Sequence, residues 1–301
     1  MKKIMKQLTA VLMTLTILLT LPATSISAKA DAVTDENPKD VYVSFGADLT
    51  ADEKATVLGL MGITEADLAN YSVGQITNQD EKNYLGSYLD SSIIGSRALS
   101  SVIVVRKEKG HGINVETKNI SYCTAGMYTN ALITAGIEDA DVIVAGPFSI
   151  TGTAALVGAM KAYSELTGEN ISQDSMDTAV NELVVTSQIA EDANPEDVEK
   201  LIAFVKAKVV EGDLNSDEEI SEVIDEGASE VGVTLTDEEK QQIIALMKKI
   251  DGLNLNIDSM KAQATDLFNK LEDMGIDKEQ AKGFFQKLID SLKDFFSGLF
   301  N

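Results

Sequence analysis

The sequence predicts an α+β protein: a small mixed sheet with packed helices, followed by an all-helical C-terminal domain. Two observations carry this expectation. Short β-branched runs alternate with helical segments up to residue 168, and beyond about residue 170 the apolar residues recur with the three-to-four spacing of helices. Capping residues at the starts of the helical segments reinforce the second observation.

The elements are read in chain order. Residues 41–45 alternate toward a short strand. Thr50 opens a helix with Glu53 placed to close a capping box, and Val57, Leu58, Leu60 and Met61 form its apolar face. Asn78 caps the next helix, with Glu81 three residues on. Residues 102–106 read as a strand, Gly110-His111-Gly112 as a turn and residues 113–120 as the returning strand, so the two are expected to form a hairpin. A helix over 124–135 stops at Gly136, residues 141–145 form a buried strand, and 151–166 is the next helix, ended by Gly168. Helices then fit 174–192, 195–211, 217–231, 237–250, 258–274 and 278–299. Their caps are Asn194 before Pro195, Ser216 with Glu219, Thr236 with Glu239, and Asp277 with Gln280.

The start of the chain reads as an export signal. Lys2, Lys3 and Lys6 precede an apolar run over 8–21, Pro22 ends it, and Ala28-Lys29-Ala30 has the small residues that a signal peptidase recognises. The run would make a helix of about 21 Å, short of the roughly 30 Å hydrocarbon core. The expected organisation is a signal peptide over 1–30 cleaved after Ala30, an acidic linker over 31–39, an α+β domain over 40–168 and a helical domain over 172–301. The protein is therefore expected to be secreted or extracytoplasmic, retained at the envelope without a covalent link. The lone Cys123 offers neither a lipid attachment after the cut nor an internal disulfide.

Composition narrows the function. The formal charge is −23, and removal of residues 1–30 takes four lysines and no acids, leaving 21 basic against 48 acidic residues and a charge of −27. Such a surface repels nucleic acid and suits solubility, cation accumulation or a basic protein partner. Aromatic residues make up 5% and tryptophan is absent, which argues against a carbohydrate-binding module built on aromatic platforms.

Several motifs are candidates for chemistry. His111 is the only histidine, so a His/Cys zinc cluster is excluded and a Ser-His-Asp arrangement would have to use this glycine-flanked residue. Cys123 at a helix start is either a thiolate nucleophile or a small packed hydrophobe. Residues 146–153 follow a strand and open a helix, the setting of an anion cradle, with Arg97, Ser149, Thr151, Gly152 and Thr153 as its candidates. The spacing is wrong for a nucleotide-binding P-loop, and no cofactor is implied. A deep pocket gathering Arg97, Ser100, Thr151 and Thr153 would favour anion binding or catalysis. Asp213, Asn215 and Asp217 start like a calcium loop, but Glu218 replaces its glycine and Ile224 its bidentate acid; the Ser216 cap explains the same residues. The final helix presents Phe285, Leu288, Leu292, Phe295, Phe296 and Leu299 as one stripe. Its charge-balanced polar side suits docking on the protein itself, with a partner or membrane surface as the other occupants.

A resemblance emerges from Thr77-Asn78, Tyr84-Leu-Gly86, the run over 94–102, Tyr128-Thr-Asn-Ala131 and Gly152-Thr-Ala-Ala-Leu156. Together they resemble the YpuA-like family of secreted Gram-positive proteins, which carry a domain of unknown function. The resemblance implies export and brings no catalytic residues. The expected function is an exported envelope or extracellular binding protein. The alternatives are an envelope hydrolase using carboxylates or a hydroxyl nucleophile, and a weak calcium-binding structural protein.

Overall fold

The computed structural model describes residues 36–253, apart from 213, together with residue 255. The expected signal peptide, most of the linker, the helices over 258–274 and 278–299, the Asp277 cap and the apolar stripe from Phe285 to Leu299 lie outside the described residues, as does Asp213.

Five strands form one mixed sheet: β1 (Val41–Gly46), β2 (Ser72–Ile76), β3 (Ser101–Arg106), β4 (Ile113–Ile120) and β5 (Ala140–Ile150), in the order β2-β1-β3-β5-β4. Parallel neighbours need a crossover connection. For β1 and β2 it contains α1 (Ala51–Met61), started by the Thr50–Glu53 capping box. The two-residue period of the strands sends alternate side chains to opposite faces. Val41, Val43, Phe45, Ile103 and Val105 pack beneath Val57, Leu58 and Met61 of α1, whereas Val102, Val104, Val142 and Val144 join the larger core on the other face. That second face is covered by α5 (Thr153–Thr167), where Gly158 lets the helix pass close to Ser44 and Val102.

Strands β3 and β4 do not form the expected hairpin. Strand β5 lies between them, antiparallel to β3 and parallel to β4. Residues 107–112 instead pass around the start of β5. Asp139 Oδ1 accepts from Gly110 N (2.9 Å) and Gly112 N (2.8 Å), and Ala140 N donates to Gly112 O (3.0 Å). Alternation in β3 and β4 is equally consistent with direct pairing or with pairing through an intervening strand. The apolar β5 takes the interior place and β4 the edge, because an interior strand is covered on both faces. Strand β2 was not anticipated, because of its side chains only Ile76 is fully buried and no alternation shows.

Helix α2 (Asn78–Leu85) is capped by Thr77 and Asp80, not by Asn78 and Glu81: Asp80 N donates to Thr77 Oγ1 (3.1 Å) and Thr77 N to Asp80 Oδ2 (2.9 Å). This shift of one residue turns Glu81 inward. A short α3 (Ser91–Ile94) follows, then α4 (Ala125–Thr134) after β4.

The chain continues as α6 (Gln173–Ile189), α7 (Pro195–Gly212), α8 (Asp217–Val231) and α9 (Asp237–Asp251). Asn194, Ser216 and Thr236 cap α7, α8 and α9 as their spacing predicts. One apolar cluster runs from Ile76 through Tyr128, Leu156, Leu183 and Leu201 to Ile250, joining the sheet and the helices. Several charged groups enter it with partners that offset the cost of burial. Lys206 and Glu182 pair between α7 and α6, and Glu199 of α7 accepts from the Thr124 hydroxyl at the start of α4. No helix among the described residues is long and apolar enough to cross a membrane.

Candidate functional site

Strand β5 continues past the expected boundary at Ala145 to Ile150, so residues 146–150 belong to the strand and not to a turn. Its pairing with β4 is irregular there. Lys118 pairs with Ala145 and Ile120 with Ile150, so one residue of β4, Asn119, faces an excursion of four on β5. Asn119 takes φ +58° and its Nδ2 donates to Gly146 O (3.1 Å), fixing the excursion. Phe148 lies on it, 49% exposed.

Helix α5 then starts from Gly152, which has φ +99° and no side-chain cap. The Gly152 carbonyl accepts from Tyr128 Oη (2.5 Å) and Ala155 N (3.1 Å). A Cβ at this position would lie 2.6 Å from both Tyr128 Oη and Ile120 Cγ2, so both conformation and contact require glycine.

Beside this start lies an open cleft of about 360 Å³, between α2, the segment 92–100 and the end of β5. Arg97, Ser100, Thr151, Gly152 and Thr153 all line it; Ser149, exposed on the β5 excursion, is not among the lining residues. Arg97, Ser100, Thr151 and Thr153 thus line one cleft, which is open and not the deep pocket that would favour anion binding or catalysis.

Glu81 also lines the cleft, and sequence reasoning missed it. It is 2% exposed. Its Oε1 accepts from Thr153 Oγ1 (2.9 Å) and its Oε2 from Asn78 Nδ2 (3.3 Å), while Asn78 also donates to Gly95 O (3.3 Å). Burial raises the Glu81 pKa above the usual carboxylate range, and the Thr153 and Asn78 hydrogen bonds oppose the shift. The three-residue spacing from Asn78 was the available signal, and it mimicked a cap. Ser100 Oγ accepts from Ala155 N (3.0 Å), holding the first turn of α5 against the 92–100 segment.

Arg97 stands at the rim with its charge already matched. Its Nη2 donates to Glu53 Oε2 and to Asp48 O, both at 2.7 Å. The guanidinium and the backbone N–H of Thr50 hold the Glu53 pKa down at about 2.

The other candidates lie elsewhere. His111 sits in the 107–112 segment, where Nε2 is 2.8 Å from Asp141 Oδ1 and 3.1 Å from Asn114 Nδ2; no hydroxyl nucleophile is among these partners. Cys123 is buried, and desolvation pushes its thiol up to about 12. Asp217, from the calcium reading, is in the first turn of α8 and pairs with Lys248.

The model of a family described as "Protein of unknown function (DUF1002)" matches residues 45–267. The chain belongs to this family. It is similar to the "Uncharacterized protein YpuA" of Bacillus subtilis (strain 168), at 39% identity over 266 residues, covering 87% of this chain and 88% of the relative. No solved structure matches. Every cleft residue named above falls inside the DUF1002 span.

Proposed function

We propose that this DUF1002 protein is an exported binding protein that takes a small polar ligand into the cleft beside the start of α5. Export rests on the basic start, the apolar run and the Ala28–Ala30 triplet of the sequence. The binding reading rests on one observation: a nearly inaccessible carboxyl, Glu81, lines a cleft alongside the hydroxyls of Ser100, Thr151 and Thr153. A concave site with few polar groups held in fixed positions suits recognition of a small molecule.

A raised carboxyl pKa in a cleft also supports a hydrolase, with Glu81 as acid or base. Binding is favoured because Glu81 and Thr153, bonded to each other, are 2% and 1% exposed, so the pair holds the cleft wall in place and is withheld from an external substrate.

Ligand-observed NMR on the chain beginning at Asp31 tests the binding reading with a library of small polar fragments. Binders should be lost in Ser96→Trp, which places an indole at the exposed rim. A library with no hits, or hits indifferent to that substitution, refutes the reading. N-terminal sequencing of the native protein tests export; a start at Met1 in the cytosol refutes it.

A further inference from the structure

We infer that the cleft recognises a neutral, hydroxyl-rich ring, that is, a short uncharged saccharide, in preference to an anion. This rests on the binding reading above and specifies its ligand class.

The charge arrangement disfavours an anion. Arg97 is the one cationic residue in the cleft lining, and its Nη2 is held by Glu53 and the Asp48 carbonyl. An entering phosphate would compete with two existing partners of that guanidinium, while facing the Glu81 carboxyl on the wall and a chain of formal charge −23. In the first turn of α5, Ala155 N is already bonded to Ser100 Oγ and Gly152 O and is not open to an anion.

The same wall suits hydroxyl groups. Ser92, Ser96 and Thr151 each combine a donor with acceptor lone pairs, so they can follow the alternating donor and acceptor pattern of a sugar edge.

Phe148 supplies the remaining feature. Phe148 is 49% exposed and borders the cleft because the β4–β5 register excludes residues 146–149 from pairing. Its ring offers a flat apolar surface for the C–H face of a sugar. The low aromatic content argues against a groove with many such platforms and leaves room for one. A volume of about 360 Å³ is at the lower end for small-molecule pockets, which fits a short glycan.

The test is a ¹H–¹⁵N NMR titration of the chain beginning at Asp31 with cellotriose, maltotriose, tri-N-acetylchitotriose and sodium phosphate. The expected result is saturable shifts of the Phe148, Thr151 and Gly152 amides with at least one saccharide, and none with phosphate. Phe148→Ala should weaken that saccharide about tenfold with an unchanged melting temperature; tenfold corresponds to about 1.4 kcal/mol. Saturable phosphate shifts without any saccharide response would overturn the inference and leave the binding reading standing. So would a saccharide response indifferent to Phe148→Ala. If none of the four probes binds, the saccharide assignment falls; an empty fragment screen would remove the binding reading as well.

Discussion

Lys206 Nζ lies 2.8 Å from Glu182 Oε1, and the two side chains are 1% and 0% exposed. The ammonium also donates to Asn130 O (2.9 Å) and Thr134 Oγ1 (3.2 Å), and the Thr134 hydroxyl donates to the second Glu182 oxygen. The pair thereby fixes α4, α6 and α7 to one another at a single point. Removing one member strands a buried charge. Lys206→Met is expected to cost about 3–5 kcal/mol in urea unfolding, and Lys206→Met with Glu182→Leu to recover much of it. A single substitution costing under about 1 kcal/mol would show that water reaches the pair.

Glu199 makes stability depend on pH. Burial raises its pKa to about 7 from 4.5; neighbouring Glu196 adds to the rise, and the Thr124 hydroxyl and Lys200 oppose it. The folded protein thus binds the proton more tightly than the unfolded chain. The contribution is fully present below about 4.5 and is lost as pH rises through about 7. Relative to Glu199→Gln, the natural protein should lose up to about 3 kcal/mol across that window. Chemical denaturation at several pH values checks this; parallel stability curves for the two proteins would refute it.

Cys123 should behave as a packed apolar group. Its 1% exposure and elevated pKa predict negligible labelling by a disulfide reagent in the native state and full labelling in denaturant. Rapid native labelling of one thiol would contradict the burial.

Gly152→Ala meets three obstacles, the positive φ and the 2.6 Å approaches to Tyr128 Oη and Ile120 Cγ2. A destabilisation of about 1–3 kcal/mol is expected in thermal or urea unfolding. Tyr128→Phe removes one of the two contacts and with it the hydrogen bond to Gly152 O, so the double variant should recover only a small part of the loss. An alanine variant as stable as the natural protein would rule out the described start of α5.

The parts of the fold legible in the sequence are those set by neighbours in the chain. Thr50 with Glu53, Ser216 with Glu219 and Thr236 with Glu239 form the anticipated boxes because every partner is three residues away. Strand order was not legible, because the alternation of β3 and β4 says which side chains share a face and not which strand lies next. The cleft was half legible. Thr151, Gly152 and Thr153 are legible from their setting at a strand-to-helix junction, whereas Glu81 depends on Thr153, 72 positions away. Phe148 was hidden for a related reason: its exposure follows from a register irregularity opposite Asn119, which leaves no periodic trace.

The passage of residues 107–112 around the start of β5 also sets an order of events. A chain emerging N-terminus first delivers β3 and β4 before the strand that must join them. Until residues 140–150 appear, β3 has one open edge and β4 has no neighbour, and such unpaired ladders are templates for wrong association. Completion of the sheet therefore waits on its last-made strand, and the nascent protein is most vulnerable to misassembly just before that strand arrives.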